Sequence, residues 1–266
     1  MYRPFPVLAA AVVAASVAAS VGCGIHGPYN AEARDSWSQT YSLSPDGEVS
    51  IGNTNGRIEI EGTDGSKVEV QAERIARAAT DQLAHELLPK IPITDRSTAD
   101  NVRIETGRIN GILIGASFEV RYHVKVPKAA KVSGSTVNGG VEVSGLTGRV
   151  NAHTTNGGVL ARDITGSLEA RTVNGGVRVV LPPTAKATLN ATWVNGGIRT
   201  NGLNFDVRDS GKRHFEGRLN GGGTQITATT VNGGVAVSTG DENDGDAGDF
   251  VTGIVEKSLK GADKKP

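Results

Sequence analysis

Along most of this chain, apolar and polar residues alternate with a period of two, which sends successive side chains to opposite faces of a strand. Val49-Ser50-Ile51-Gly52 alternates, Asn55-Gly56 turns, and Arg57-Ile58-Glu59-Ile60 alternates again, a strand–turn–strand signal. Lys67 to Ala72, Asn101 to Glu105 and Ser117 to Val126 predict further strands, the last ended by Pro127. One stretch breaks the pattern. Thr80 to Leu88 reads as a short helix with Leu83, Leu87 and Leu88 on one face, stopped by Pro89.

From Val132 onward the chain repeats itself. The unit is Thr-Val-Asn-Gly-Gly-Val-x-Val. Asn138, Asn156 and Asn174 are 18 residues apart, and Asn195 follows 21 later. Asn220-Gly221 and Asn232-Gly233-Gly234 continue the theme at looser spacing, and Asn55-Gly56 is an earlier, degenerate copy. When the strict copies are superimposed, Val141, Val159 and Val177 align, as do Val143, Ala161 and Val179, Val150 and Leu168, and Ala152 and Ala170. The positions between them vary freely: Glu142 becomes Leu160 and then Arg178, and His153 becomes Arg171. One set of positions is apolar or small in every copy, so one face is built to be buried.

A unit of two short strands cannot bury its own inner face, whereas stacked units can. The prediction is therefore an all-β chain forming a β-solenoid, like a right-handed parallel β-helix, with about 18 residues per coil and one short helix. Asn and Gly suit the turn because both tolerate positive φ, and a stacked Asn can hydrogen-bond to the Asn of the next coil. Asn-Gly is also a hairpin signal, and a hairpin series would give an antiparallel meander. Repetition of every inner position in register favours the solenoid. Its ends need caps, for which the helix near Thr80 to Leu88 and the tail after Gly240 are candidates.

With those copies in hand, the chain resembles a family of adhesin-like β-strand-repeat domains of unknown function found in bacterial envelope proteins. The resemblance rests on Val126-Pro127-Lys128 and on the copies Ser135 to Val143, Thr154 to Val159 and Arg171 to Val177, and it spans residues 45 to 240. It implies a β-helix-like fold and a cell-envelope location. It brings no catalytic residues.

The N-terminus agrees with export. Arg3 is followed by an apolar run from Phe5 to Val21, the proportions of a signal peptide. The run ends at Ser20-Val21-Gly22-Cys23, which resembles a bacterial lipobox, with Ser20 standing where Leu is usual. Cys23 is the only cysteine, so an intramolecular disulfide and a thiolate metal site are both excluded. Cys23 is the candidate acylation site, carrying palmitate or a similar chain. The alternative is ordinary cleavage beside an incidental cysteine. Gly24, rather than Asp, follows it, which in a Gram-negative host resembles outer-membrane sorting. The expected division is a signal peptide over 1–22, a tether over 23–40, the repeat domain over 41–240 and a charged tail over 241–266, in which Phe250 to Leu259 could form an amphipathic helix.

Composition narrows the function. Lys+Arg and Asp+Glu number 28 each, so no global field recruits nucleic acid. Aromatics are 4% of the chain, too few for base-stacking platforms or aromatic sugar clefts. The histidines His26, His85, His123, His153 and His214 lack metal-ligand spacing. No Gly-x-Ser-x-Gly or phosphate-loop motif is present. Glu142, Asp163, Glu169 and Asp206 are dispersed rather than paired as sugar cleavage requires. Asp241 to Asp246 fails the calcium-loop register, since Thr252 stands where the closing Glu belongs. The expectation is a non-catalytic envelope protein without cofactor, an adhesin or scaffold, held to the membrane by lipid. Its outer face would bind an envelope protein or a glycan. A polysaccharide-active β-helix enzyme and a self-assembling envelope filament are the alternatives. Asn55, Asn138, Asn156, Asn174, Asn195 and Asn232 are assigned structural roles at the turns.

Overall fold

The computed structural model describes residues 31–107 and 115–239. The signal peptide, Cys23 and the tail over 241–266 lie outside the described residues. Among the described residues, no helix is long and apolar enough to cross a membrane.

The first half of the chain holds β1 (Ala31–Ser42), β2 (Glu48–Gly52), β3 (Ile58–Thr63) and β4 (Lys67–Ala78), then the helix α1 (Asp81–Leu87), then β5 (Ile93–Ser97), β6 (Asn101–Thr106) and β7 (Ala116–Pro127). The strict repeats follow as strand pairs: β8 (Lys131–Asn138) with β9 (Val141–Ser144), β10 (Val150–Asn156) with β11 (Val159–Arg162), and β12 (Leu168–Asn174) with β13 (Val177–Val180). Two looser pairs are β14 (Ala187–Asn195) with β15 (Ile198–Thr200), and β18 (Thr224–Asn232) with β19 (Val235–Ser238). Between them lies the hairpin of β16 (Phe205–Ser210) and β17 (His214–Leu219).

Each pair divides between two sheets. The first sheet runs β1-β4-β7-β3-β9-β11-β13-β19-β15, and the second runs β16-β17-β14-β18-β12-β10-β8-β2-β6-β5. The repeats pair in parallel at the expected offset: Val141, Val159 and Val177 are direct partners, as are Val132, Val150 and Leu168. All six are buried, and they form a continuous column between the sheets. The opposing column is narrow: Gly134, Ala152, Ala170, Ala228 and Ala191 follow one another in register. Fully burying one Val or Leu contributes about 1.5–3 kcal/mol, so a column of them carries the stack. The body is thus an all-β, solenoid-like stack in which parallel coils are flanked by antiparallel strands.

The stack departs from expectation in three places. The coils do not stack in chain order: β18 and β19 insert between β12 and β14 and between β13 and β15. The antiparallel strand β17 occupies one edge of β14, so the last parallel copy must take the other. At the opposite end, β6 and β7 lie outside β2 and β3 for the same reason of edge occupancy, with β2 flanked by β6 and β8.

The second departure concerns the tether. Residues 31–40, expected to be tether, are part of β1, which pairs antiparallel with β4 from Ala31↔Ala78 to Ser42↔Lys67. The third concerns the helix. Thr80 caps α1, its Oγ1 accepting from the Leu83 amide at 3.3 Å. Leu83, however, is 51% exposed, and Ala84, Leu87 and Leu88 are the buried positions. The helix packs on β1 and β4, and only the side rotated toward Ala84 reaches them.

Candidate functional site

The six predicted turn asparagines form one hydrogen-bonded ladder. Asn138 donates to Asn55, Asn156 to Asn138, Asn174 to Asn156, Asn232 to Asn174 and Asn195 to Asn232, each from Nδ2 to Oδ1 at 2.8 Å. Every amide faces the same way, so the dipoles add along the axis. The glycine after each Asn has positive φ, +154° at Gly157. A Cβ at Gly157 would lie 2.0 Å from the Gly139 carbonyl oxygen of the next coil. Backbone contact at that distance admits no side chain.

A second ladder runs inside the first. The hydroxyls of Thr136, Thr154, Thr172 and Thr230 donate to the carbonyls of Gly56, Gly139, Gly157 and Gly175 at 2.7–3.2 Å. These buried hydroxyls pair the carbonyls that the tight turn leaves without a strand partner. At the end coil Trp193 takes the Thr position, and at the first copy Asn53 does so, donating to the Val120 carbonyl at 2.7 Å. Both ladders are structural.

The feature with binding potential lies at the other end, on the outer face of β1, β4 and β7. Ile75 is wholly buried there, at the centre of a closed ring of alternating charge. Going round, Arg34 bonds Glu32 (2.6 Å), Glu32 bonds Arg77 (2.7 Å) and Arg77 bonds Glu119 (3.1 Å). Glu119 then bonds Arg121 (2.7 Å), Arg121 meets Glu73 (3.7 Å) and Glu73 returns to Arg34 (2.9 Å). The register explains it. Arg34 and Glu119 lie directly across from Ile75, while Glu73 and Arg77 flank it two residues away on β4.

The Arg34 hydrogen bond holds the Glu32 carboxyl below its ordinary value, against an opposing cost of desolvation, with Arg77 adding to the lowering. Burial pushes Glu119 up, but the hydrogen bonds from Arg121 and Arg77 outweigh it, and its net shift is also downward.

Beside the ring opens a groove of about 1130 Å³. Ser36 and Ser38 of β1, Gln71 and Glu73 of β4, and Arg121 and His123 of β7 contribute to its wall. Arg57, Glu59 and the turn Asn138-Gly139-Gly140 contribute to the side facing the stack. His123 lies 3.5 Å from Glu59, and Arg57 lies 3.9 Å from Glu142. The groove thus offers both signs of charge together with neutral hydrogen-bonding groups.

The sheet behind the groove is held firmly on its inner side. Arg74 makes a two-pronged pair with Asp35 at 2.7 and 2.6 Å. Tyr122 shares a 2.7 Å hydrogen bond with Thr106, and burial pushes its phenol up to about 12. Tyr41 donates to Asp95 at 2.8 Å, and burial and that carboxylate raise its pKa too.

The carboxylates considered for sugar cleavage do not converge. Glu142 stands on β9 of the first sheet and pairs with Arg162, whereas Glu169 and Asp206 stand on β12 and β16 of the second. The His153 side chain points outward and is exposed, as its place in the repeat requires. Of the groove, the alternation in β4 and β7 showed which side chains point out. It did not show that β1, a segment read as tether, would complete the ring.

This fold and these ladders define a class: an all-β domain of stacked coils whose turns are locked by asparagine and glycine. The chain belongs to the Toastrack DUF4097 family, whose model matches residues 97–238. No curated protein matches the sequence. Among solved structures, the chain is similar to a candidate cell adhesion protein from Clostridium sporogenes, with a TM-score of 0.55 at 11% identity, covering 78% of this chain and 100% of that one. It is also matched to a candidate lipid binding protein from Parabacteroides distasonis, with a TM-score of 0.28 at 9% identity, covering 76% of this chain and 96% of that one. A candidate adhesin from Bacteroides fragilis gives 0.27 at 9% identity, with 77% and 97% covered. At these identities the first match shows a shared fold, and the other two superpose too loosely to add to it.

Proposed function

We propose that this chain is a non-catalytic protein of the bacterial cell envelope, an adhesin or scaffold that binds an extended polar partner, protein or glycan, in the groove beside the charged ring. The coils are read as winding right-handed, the hand that parallel crossovers take. The observation that carries the reading is the groove itself: polar side chains of both signs on a rigid sheet. Such a wall makes many weak directional contacts and has little ordering cost left to meet on binding. The name of the neighbour that shares the fold, a candidate cell adhesion protein, lends it support.

The anchor in this reading is an acyl group on Cys23. β1 begins eight residues later at Ala31, so the link reaches at most ~28 Å. The antiparallel end would then sit near the membrane, with the repeat stack extending from it. A single acyl chain binds membranes only marginally, so more than one chain on Cys23 is expected. Mass spectrometry of the mature N-terminus tests that part, and Cys23→Ala should move the protein from the membrane to the soluble fraction.

The binding reading is tested with the chain from Gly24 onward on glycan and envelope-protein arrays. A hit that weakens about tenfold with Arg121→Ala, a cost of about 1.4 kcal/mol, supports it. Silence on both arrays overturns it.

A further inference from the structure

Each of the six ladder asparagines is followed by glycine, and an Asn-Gly pair can change its own covalent structure. The glycine amide nitrogen, once base has taken its proton, attacks the asparagine Cγ. The bond from Cγ to Nδ2 breaks, ammonia leaves, and a five-membered succinimide closes. Water then opens the ring to aspartate or isoaspartate. Glycine favours the attack because it has no side chain to obstruct it and its backbone turns freely. A hydrogen bond from the glycine N–H opposes it, as does a side-chain amide held in place, since each must open first.

In the stack, each glycine N–H donates to the asparagine carbonyl of the next rung. Gly56 donates to Asn138 at 2.7 Å, and Gly139 to Asn156, Gly157 to Asn174, Gly175 to Asn232 and Gly233 to Asn195 at 2.9 Å each. The series stops at Asn195, because β15 ends the first sheet and no further rung follows. Among the described residues, the Gly196 N–H has no acceptor and Asn195 Oδ1 has no donor. Gly196 is exposed, whereas the glycines of the other five rungs are buried or half-buried. Asn195 keeps two bonds, both toward the stack: Nδ2 donates to Asn232 at 2.8 Å, and its carbonyl accepts from Gly233 at 2.9 Å. The opposite end differs. Asn55 is also a terminal rung, yet the Gly56 N–H stays bonded to Asn138.

We propose that Asn195 is a site of spontaneous deamidation in the folded protein, and that the stack itself protects the other five rungs. The nucleophile is free only where the ladder has run out of acceptors. The carboxylate that forms cannot donate to Asn232 as the amide does, so the last bond of the ladder is lost. Its charge also falls at the end where the outward-facing Oδ1 is already the negative pole of the aligned amides. The modification therefore weakens the hold of β15 on β19, to which it pairs from Ile198 to Thr200. The groove reaches the ladder at Asn55 and Asn138, the other end, so this site is independent of the binding reading above.

Peptide mapping tests it. The folded full-length chain is incubated at mildly alkaline pH, digested with trypsin, and analysed by mass spectrometry with fragmentation that places each amide-to-acid change. Asn195 should convert about tenfold or more faster than Asn156 and Asn174, and faster by a similar margin than Asn55. In concentrated urea the six rates should draw together, because the same Asn-Gly pair stands at all six positions and no fold restrains it. Equal rates in the folded chain would overturn the proposal. So would an Asn55 as fast as Asn195, since any ladder end would then react and the free Gly196 N–H would have no special part. A fast Asn195 that keeps its lead in urea would assign the difference to flanking residues and sink the proposal as well.

Discussion

The repeat stack and the antiparallel sheet of β1, β4 and β7 solve the same problem in opposite ways. Both must hold strands together over a long distance. In the stack, like meets like: Val159 touches Val141 and Val177, and Asn156 bonds Asn138 and Asn174. One residue type at one position serves two neighbours, so a short motif repeated at fixed spacing is sufficient. In the antiparallel sheet, unlike meets unlike, and Glu32, Arg34, Glu73, Arg77, Glu119 and Arg121 each need partners of opposite sign from distant parts of the chain. The first device is stiff and uniform, and leaves little on its turns to bind with. The second builds a surface of mixed chemistry, and the groove lies on it.

The comparison predicts a graded series of failures. The largest belongs to the turn. Gly157→Val places a Cβ 2.0 Å from a backbone oxygen, so the coils must part, at a cost of about 3 kcal/mol or more. Thermal unfolding followed by circular dichroism should show a much lowered midpoint or no folded protein. A near-native midpoint would mean the coils are not in backbone contact there.

Next comes the column. Leu168→Ala removes a buried side chain between Val150 and Ile226 and should cost about 2–5 kcal/mol in urea unfolding. The ladder is weaker, because its amides are exposed. Asn156→Ala deletes two hydrogen bonds whose partners can turn to water, and the expected loss is about 1–2 kcal/mol.

The ring comes last. Arg77→Gln should cost under about 1 kcal/mol, and the difference from the native protein should shrink as salt is added. Acid sharpens the contrast. Glu32 and Glu119 titrate below their ordinary value of 4.5 in the folded protein. Their contribution is therefore fully present above that value and is lost as pH falls below it. Hydrogen exchange of β1 amides should accelerate relative to β10 and β12 as the pH is lowered past about 4.5. A uniform response along the chain would show that the ring does nothing particular for β1.

How much of this could be read in advance follows from where the signal sits. Val141, Val159 and Val177 were legible because the period of two and the spacing of 18 coincide on them. The turn asparagines were legible because each recurs beside a glycine. Leu83 was misread because a helix of seven residues leaves the direction of burial to whatever it meets, here β1 and β4. β1 was missed for a different reason. Its inward row from Ala33 to Tyr41 reads Ala33, Asp35, Trp37, Gln39 and Tyr41, and Asp35 and Gln39 break the apolar alternation. The half-buried Asp35 carboxylate is held by two nitrogens of Arg74, which lies 39 residues away.

The chain by itself determined the unit: two short strands, an Asn-Gly turn and an inner face of Val, Leu and Ala, because backbone stereochemistry and alternation act within a few residues. Only the tertiary structure decided the order of the units. Near-identical parallel edges accept one another equally well, so which copy sits beside which depends on the edges already taken by β17, β6 and their neighbours. The ring and the groove belong to that second level, since opposite charges from β1, β4 and β7 meet only after those strands have paired.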